Sequence, residues 1–164
     1  MDNINLDKVA IHIDKDEDGY PPYETETLWA KKVDNNEYIL DNSPFFARGF
    51  SLGDRVFGTI EHGQIVIKKV LIRGGNLTYR LLLSGSFNKF KDGLLLLKNI
   101  GCDYELMEIG DNLNLYSLDV PKKVDQLEMY KILDKGVIDN IWEFEEADIN
   151  SLNDDIYEVR KNKL

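Results

Sequence analysis

Carboxylates are the commonest side chains here that could do chemistry, and their densest run lies near the C-terminus. Residues 139–158 contain eight Asp or Glu and no Lys or Arg. Trp142 and Phe144 alternate with Glu143 and Glu145, so a strand would place aromatic rings on one face and carboxylates on the other. That outer face is either solvated or an interface with acidic groups beside aromatic anchors. For the interface, the predicted partner-binding residues are Trp142, Glu143, Glu145, Glu146 and Asp148.

A second candidate site is a block rich in Trp, Phe, Pro, Gly and Asx over residues 26–54. Such a composition builds a fixed loop platform, in which aromatics anchor the chain and Asx side chains bond the backbone. A Gly-Gly-Asn turn follows at residues 74–76, and it either cradles a phosphate or is a β-turn that needs positive φ. The platform residues, structural or ligand-binding, are Trp29, Asn42, Pro44, Phe45, Asp54, Asn76, Thr78 and Arg80.

Metal chemistry finds little support in the residue pattern. The run Asp14-x-Asp16-x-Asp18-Gly19 resembles the start of a calcium loop, but its twelfth position is Thr25 rather than Glu. The alternative is a solvated acidic turn between strands. His12 is predicted on the face of its strand opposite the apolar residues, and His62 at a hairpin tip, without the Cys or carboxylate partners of a zinc site. We therefore predict no metal and no cofactor.

A catalytic set is also missing from the sequence. Cys102 follows a predicted helix C-terminus, which does not lower a thiol pKa, so it is predicted to be a small, partly buried residue. Asp54 or Glu24 could serve as the base of a hydrolase, but no nucleophile or metal partner accompanies them. We predict that the protein is not an enzyme.

Composition limits the class of partner. The 164 residues are 43% hydrophobic, which suits one globular unit or two small halves sharing a core. The net charge of -10 repels nucleic-acid phosphates and anionic lipids and attracts a basic protein; plain solubility is the alternative explanation. With one cysteine, no signal-like N-terminus and no long apolar run, the chain is expected in the cytoplasm, without membrane or nucleic-acid partners.

The elements that must position these residues differ between the two halves. Alternation and turn signals predict strands at residues 9–13, 28–33, 38–40, 55–61 and 64–72, which suit a small curled sheet or barrel. The second half is predicted as a strand (77–84), a helix (86–100, with Phe87, Phe90, Leu94 and Leu97 on one face), two strands joined at residues 110–112 (102–109 and 113–120), a helix stopped by Gly136, and a strand (141–147).

This order, β-α-β-β-α-β, predicts an α+β fold with a ferredoxin-like C-terminal half. The expected organisation is a β-rich half over residues 1–75, a ferredoxin-like half over residues 76–149, and a tail or short helix over residues 150–164. Ser151 and Asp154 fit a capping box for that helix. No Gly/Ser/Pro linker separates the halves, so one compact unit is expected.

Several short motifs together carry a resemblance to a known family. They are Gly19-Tyr20-Pro21-Pro22, Glu26-Thr27-Leu28-Trp29-Ala30, Asp41-Asn42-Ser43-Pro44-Phe45-Phe46, Gly53-Asp54, Gly75-Asn76-Leu77-Thr78-Tyr79-Arg80, Gly101-Cys102 and Val120-Pro121. Over residues 9–147 the chain resembles a bacterial domain-of-unknown-function family (four-two-six-five). The resemblance implies no established activity, but small acidic proteins of this sort are similar to immunity proteins, which neutralise a cognate toxin.

The leading hypothesis from the sequence is therefore an immunity protein that binds and blocks a toxin domain, with a basic nuclease as the favoured toxin. Acidic residues would mimic phosphates and speed the encounter, and aromatics would supply buried anchors. The alternative hypothesis is a small-ligand or nucleotide-binding module that uses Asn76, Thr78 and Arg80.

Overall fold

The computed structural model describes residues 5–109 and 113–161. These residues form nine strands and three helices. Their bounds are β1 Leu6–His12, β2 Thr25–Asp34, β3 Glu37–Leu40, β4 Arg55–Glu61, β5 Gln64–Ile72, β6 Leu77–Leu83, α1 Phe87–Asn99, β7 Asp103–Ile109, β8 Leu113–Val120, α2 Gln126–Ile138, β9 Trp142–Asp148 and α3 Asp154–Lys161. The fold is therefore mixed α+β, as predicted. No helix among these residues combines the length and apolar character needed to cross a membrane.

The first five strands close into a barrel. Each strand pairs antiparallel with the next, and β1 pairs in parallel with β5 to complete the ring. Alternation decides which side chains face inward in β2, where Leu28 and Ala30 are buried and Trp29 between them is exposed. In β1, residues 9–11 are all buried, including Val9 and Ile11, and His12 is exposed. The prediction that His12 lies opposite these apolar residues is confirmed.

The second sheet has the strand order β7-β8-β6-β9, and all its neighbours are antiparallel. One face packs against α1 and α2 around a core that includes Tyr79, Leu118 and Trp142. The opposite face, with Thr78 and Ser117, meets the loop that joins β3 to β4. The loop platform is thus sandwiched between the barrel and the sheet.

The helix predictions are right in position and wrong in two details. Phe90, Leu94 and Leu97 face the core, but Phe87 is 53% exposed. Gly136 does not end α2, which continues to Ile138, because the glycine packs against a buried tryptophan ring.

The ends of the helices are capped in different ways. Ser86 occupies the N-cap of α1, but its side chain makes no capping bond. For α3 the predicted capping box at Ser151 is wrong, because the Asn153 side chain accepts from the Asp155 N–H at 2.9 Å instead. Gly101 follows α1 with φ of 105°, as a helix stop requires. The turn predicted at residues 110–112, and residues 162–164 of the predicted tail helix, lie outside the described residues.

Candidate functional site

Strand β9 distributes the predicted partner-binding residues over two faces of the sheet. Trp142 is 1% exposed and donates from Nε1 to the Leu133 carbonyl at 3.0 Å. Glu146 is on the same face and accepts from the Tyr130 hydroxyl at 2.7 Å. Glu143 and Glu145 point to the opposite face of the sheet, which receives no aromatic side chain from β9. The five residues therefore do not form one continuous patch.

Asp148, the last of the five, is buried at the junction of the barrel and the sheet. Its Oδ2 accepts from Ser51 Oγ at 2.8 Å and from Arg73 Nη1 at 3.1 Å. The same Arg73 atom donates to Asp54 Oδ2 at 3.1 Å and to the Gly49 carbonyl at 2.8 Å. Burial raises the pKa of Asp54, although backbone N–H groups and Arg73 oppose that shift. Asp148 and Asp54 thus join the two halves of the chain.

A pocket opens beside Glu143 and Glu145. This β9 pocket has a volume of about 240 Å³. Its lining consists of Tyr20, Arg80, Leu82, Ile109, Leu113, Leu115, Glu143, Phe144 and Glu145. Four of the nine lining residues are aliphatic, and the charged groups come from β6 and β9. The pocket can therefore take a group that is apolar along its length and charged at one end.

Two arginines converge on the Glu145 carboxylate, which lines the β9 pocket. Arg80 is 6% exposed and donates from Nη1 to Glu145 Oε1 and from Nη2 to the Ala47 carbonyl at 2.9 Å. Arg48 donates from Nη2 to the second oxygen of Glu145 at 2.7 Å. By contrast, the Glu143 carboxylate makes no hydrogen bond or ion pair within residues 5–109 and 113–161. Within the described part of the chain, Glu145 is therefore paired and Glu143 is not.

Aromatic side chains border the same region. Tyr20 and Tyr23 are 54% and 44% exposed, and both rings contact Phe46, with centroid distances of 6.5 Å and 5.0 Å. We call Tyr20 and Tyr23 the tyrosine lip. The acidic turn before it is held by Asp16, whose Oδ1 accepts from the Asp18 and Tyr20 N–H groups. No group of His, Cys, Asp and Glu within the described ranges is arranged to hold a metal ion.

The loop-platform residues bond mainly to one another and to the sheet. Asn42 Oδ1 accepts from the Trp29 N–H at 2.8 Å, and the Pro44 carbonyl accepts from Ser117 Oγ at 2.8 Å. Phe45 is buried in a small apolar cluster between barrel and sheet.

The donors proposed for a phosphate are engaged as well. Asn76 Nδ2 donates to both oxygens of Asp119, and Thr78 Oγ1 lies 2.8 Å from Ser51 Oγ. Arg80 is held by Glu145 and Ala47. Asn76, Thr78 and Arg80 thus fasten the platform.

Glu26 is the acceptor at the centre of the platform and was not predicted from the sequence. Its two carboxylate oxygens receive the N–H groups of Phe45, Phe46 and Ala47 at 2.6, 2.9 and 2.8 Å. Nineteen or more positions separate donor and acceptor, so local spacing carries no signal for this contact. The one available clue was an acidic residue at a core-facing position of a strand.

The thiol is poorly suited to nucleophilic chemistry. Cys102 is buried, and burial raises the pKa of its thiol to about 12, with a further contribution from Asp119. A thiol with such a pKa is almost fully protonated at neutral pH and is a weak nucleophile. The prediction that it is a packing residue is consistent with this geometry.

Comparison with known proteins places the chain in a family. Residues 26–144 match the family described as "Domain of unknown function (DUF4265)". The chain belongs to this family. The DUF4265 match covers Glu26, Arg80 and Glu143, whereas the tyrosine lip and Glu145 lie outside it.

Structural comparison finds the same fold in another protein. The chain is similar to a solved structure described as "Novel crystal structure of a hypothetical protein from Neisseria gonorrhoeae", with 21% identity and a TM-score of 0.70. The match covers 88% of this chain and 95% of the other. No curated protein matches the chain significantly.

Proposed function

We propose that this DUF4265 protein is a non-enzymatic immunity protein, which binds a basic toxin domain in the cytoplasm and blocks it. The observation that carries the proposal is the β9 pocket, where an available carboxylate, Glu143, lies on an apolar wall next to the tyrosine lip. Exposed aromatics near charged groups are the usual composition of a protein-binding hot spot. A basic nuclease domain is the toxin we favour.

Charge supports the same class of partner. The whole chain carries a net charge of -10, and the turn before the tyrosine lip adds the exposed residues Asp14, Asp16, Glu17 and Asp18. An acidic surface of this kind accelerates the encounter with a basic protein and weakens it as salt is raised. The lip supplies apolar contact area that salt does not screen.

We also propose that the frame of this surface is ferredoxin-like. The element order β6-α1-β7-β8-α2-β9 and the sheet order β7-β8-β6-β9 support this classification. In such a frame both helices lie on one face of the sheet, so the face with Glu143 is left to the loop platform and to a partner.

The experiment is a calorimetric titration of the protein with the toxin domain encoded beside it. We expect binding that weakens with salt, and loss of toxin activity at equimolar protein. Tyr23→Ala should weaken binding by about 1 to 2 kcal/mol, while Tyr157→Ala, at a tyrosine of equal exposure on α3, should not. Absence of binding to the neighbouring toxin would refute the proposal.

A second candidate function, a small-ligand module, is favoured by one observation. The β9 pocket is concave, mostly apolar and contains the nearly buried Arg80, as small-molecule sites often are. A thermal-shift screen with nucleotides and other small anions tests it, because a ligand that binds only the folded state raises the melting temperature. If no compound raises the melting temperature and the toxin binds, the small-ligand function is rejected and the immunity proposal stands.

A further inference from the structure

We propose that the β9 pocket receives one guanidinium group, from an arginine side chain of the basic partner, with Glu143 as its carboxylate acceptor. This inference rests on the proposed function and deepens it, since it names what the partner inserts. It is carried by the existing contacts of Glu145, by the availability of Glu143, and by the shape and composition of the pocket wall.

Glu145 shows that this face of β9 already binds guanidinium groups. Arg80 approaches its Oε1 from within the protein, and Arg48 approaches Oε2 at 2.7 Å from the solvent side. The side chain of Arg48 is 63% exposed, whereas Arg80 is buried. A carboxylate on this face of the strand thus accepts from two guanidinium groups, each of which donates through one nitrogen.

Glu143 repeats that position two residues earlier on the same face of the strand. It lies opposite Leu82 in the register of β6 and β9, and its carboxylate has no partner in the described part of the chain. The pocket lining contains two glutamates and one arginine, Arg80, and both Arg80 and the neighbouring Arg48 pair with Glu145. Glu143 is therefore the acceptor that remains for a third guanidinium.

The wall beside Glu143 suits the stem of an arginine. Leu82, Leu113 and Leu115 provide aliphatic surface for three methylene groups, which long cationic side chains bury readily. Tyr20 also lines the pocket with a half-exposed ring, and guanidinium groups stack on aromatic rings more favourably than ammonium groups do. The combination of a carboxylate, an aliphatic wall and the Tyr20 ring favours arginine over lysine.

The test uses a probe that requires no toxin. N-acetyl-arginine amide is titrated into the full-length protein, and backbone amide NMR shifts are followed at Leu82, Leu115 and Glu143. We expect saturable shifts at these residues, with Glu143→Gln weakening the affinity at least about fivefold. Glu24→Gln is the matched control, because Glu24 is an exposed carboxylate with a side chain 83% accessible and outside the pocket.

Two further probes separate the parts of the inference. N-acetyl-norleucine amide carries an aliphatic side chain without the cation, and N-acetyl-lysine amide carries an ammonium. Equal binding of either one would overturn the assignment to a guanidinium. An absence of shifts at the three residues, or shifts that Glu143→Gln leaves unchanged, would overturn the site itself.

Failure of this inference differs visibly from failure of the proposed function. If the neighbouring toxin binds and is inhibited, but the arginine probe does not bind, the immunity proposal stands and the pocket assignment falls. If the probe binds as expected but the toxin does not, the pocket is a guanidinium site and the immunity proposal falls.

Discussion

Glu26 shows how a single buried carboxylate can fix a loop. It is 7% exposed, and its oxygens take up three successive backbone N–H groups, from Phe45 to Ala47. A buried N–H without an acceptor costs about 1 to 3 kcal/mol. Because the same loop carries Arg48 and supports the tyrosine lip through Phe46, Glu26 also positions the proposed interface.

Glu26→Gln should destabilise the protein by about 2 kcal/mol. The amide keeps one acceptor oxygen but presents an NH₂ group to donors that are already there, so at least one N–H loses its partner. Urea denaturation is the measurement. Glu24→Gln, two residues away and exposed, should change stability by less than about 0.5 kcal/mol, and equal losses in the two variants would contradict the role of Glu26.

Asp119 gives the protein a predictable response to pH. Burial, with help from Asp103 and Glu105, raises the pKa of this carboxyl to about 6, although the Asn76 amide opposes the shift. The ordinary pKa of an aspartate, which applies in the unfolded chain, is 3.8. The folded state therefore holds a proton that the unfolded chain has lost, and the contribution of Asp119 to stability falls as pH rises between these values.

Asp119→Asn should consequently raise the free energy of unfolding at about pH 7 by roughly 1 to 3 kcal/mol, since one pKa unit corresponds to about 1.4 kcal/mol. The gain should vanish below about pH 4, where the aspartate is protonated in both states. Denaturation at several pH values measures this. Asp92→Asn on the exposed surface of α1 controls for the loss of one negative charge, and a loss of stability in Asp119→Asn at all pH values would contradict the prediction.

At the scale of elements, the packing of β9 against the helices depends on two glycines. A Cβ atom at Gly93 would lie 2.3 Å from Trp142 Cζ3, and one at Gly136 would lie 2.1 Å from Cε2. Phe90 meets the same ring edge-to-face at 5.8 Å. Both helices thus use the absence of a side chain to fit one large ring, which is held further by its bond to Leu133.

Gly136→Ala should therefore destabilise the protein by about 1 to 3 kcal/mol through overpacking. Helix propensity alone would make the alanine variant about 1 kcal/mol more stable. The sign of the change in the free energy of unfolding therefore shows which effect is larger. Thermal or urea unfolding measures it. As a control, Asn88→Ala on the exposed side of α1 should not lower the free energy of unfolding by a comparable amount. The double variant Trp142→Phe with Gly136→Ala should lose less stability than the sum of the two single variants.

Sequence periodicity predicted the strands and helices because most of them bury one face only. Alternation in β2 and the Phe90, Leu94, Leu97 spacing of α1 are direct consequences of that one-sided burial. Gly136 was misread because a glycine within a helix and a glycine that ends it look alike in sequence. The site was predicted less well, since Glu26 and Arg73 find their partners through chain folding and β9 separates Trp142 from Glu143.

At the scale of the whole molecule, the contacts of Arg73 join barrel and sheet. Its Nη1 links Asp54 from the barrel side, Asp148 at the end of β9, and the Gly49 carbonyl in the connecting loop. Both carboxylates are buried. Without the guanidinium they would repel one another in a medium that solvates them poorly.

Arg73→Ala should cost about 2 kcal/mol at neutral pH, less than a fully enclosed ion pair because water reaches the arginine. Loss of Arg73 would raise the pKa of Asp54 further, so part of the cost should disappear as pH falls and that carboxyl is protonated. Arg55→Ala, at an equally accessible arginine paired with Glu37, is the control. Calorimetry should show one unfolding transition in the unmodified protein and one, at a lower temperature, in Arg73→Ala. Two separate transitions in the unmodified protein would contradict the view that barrel and sheet unfold together.

The positions of the two tryptophans have a spectroscopic consequence. Trp29 belongs to the barrel and is 44% exposed, with the Lys8 ammonium 5.1 Å from its ring centroid, while Trp142 is enclosed by helices on the other sheet. Each half of the chain thus contains its own fluorophore, one in a polar setting and one in an apolar setting. With Trp29→Phe the remaining emission reports on the helical layer alone, so the barrel and the sheet can be followed separately during folding or during binding of a partner.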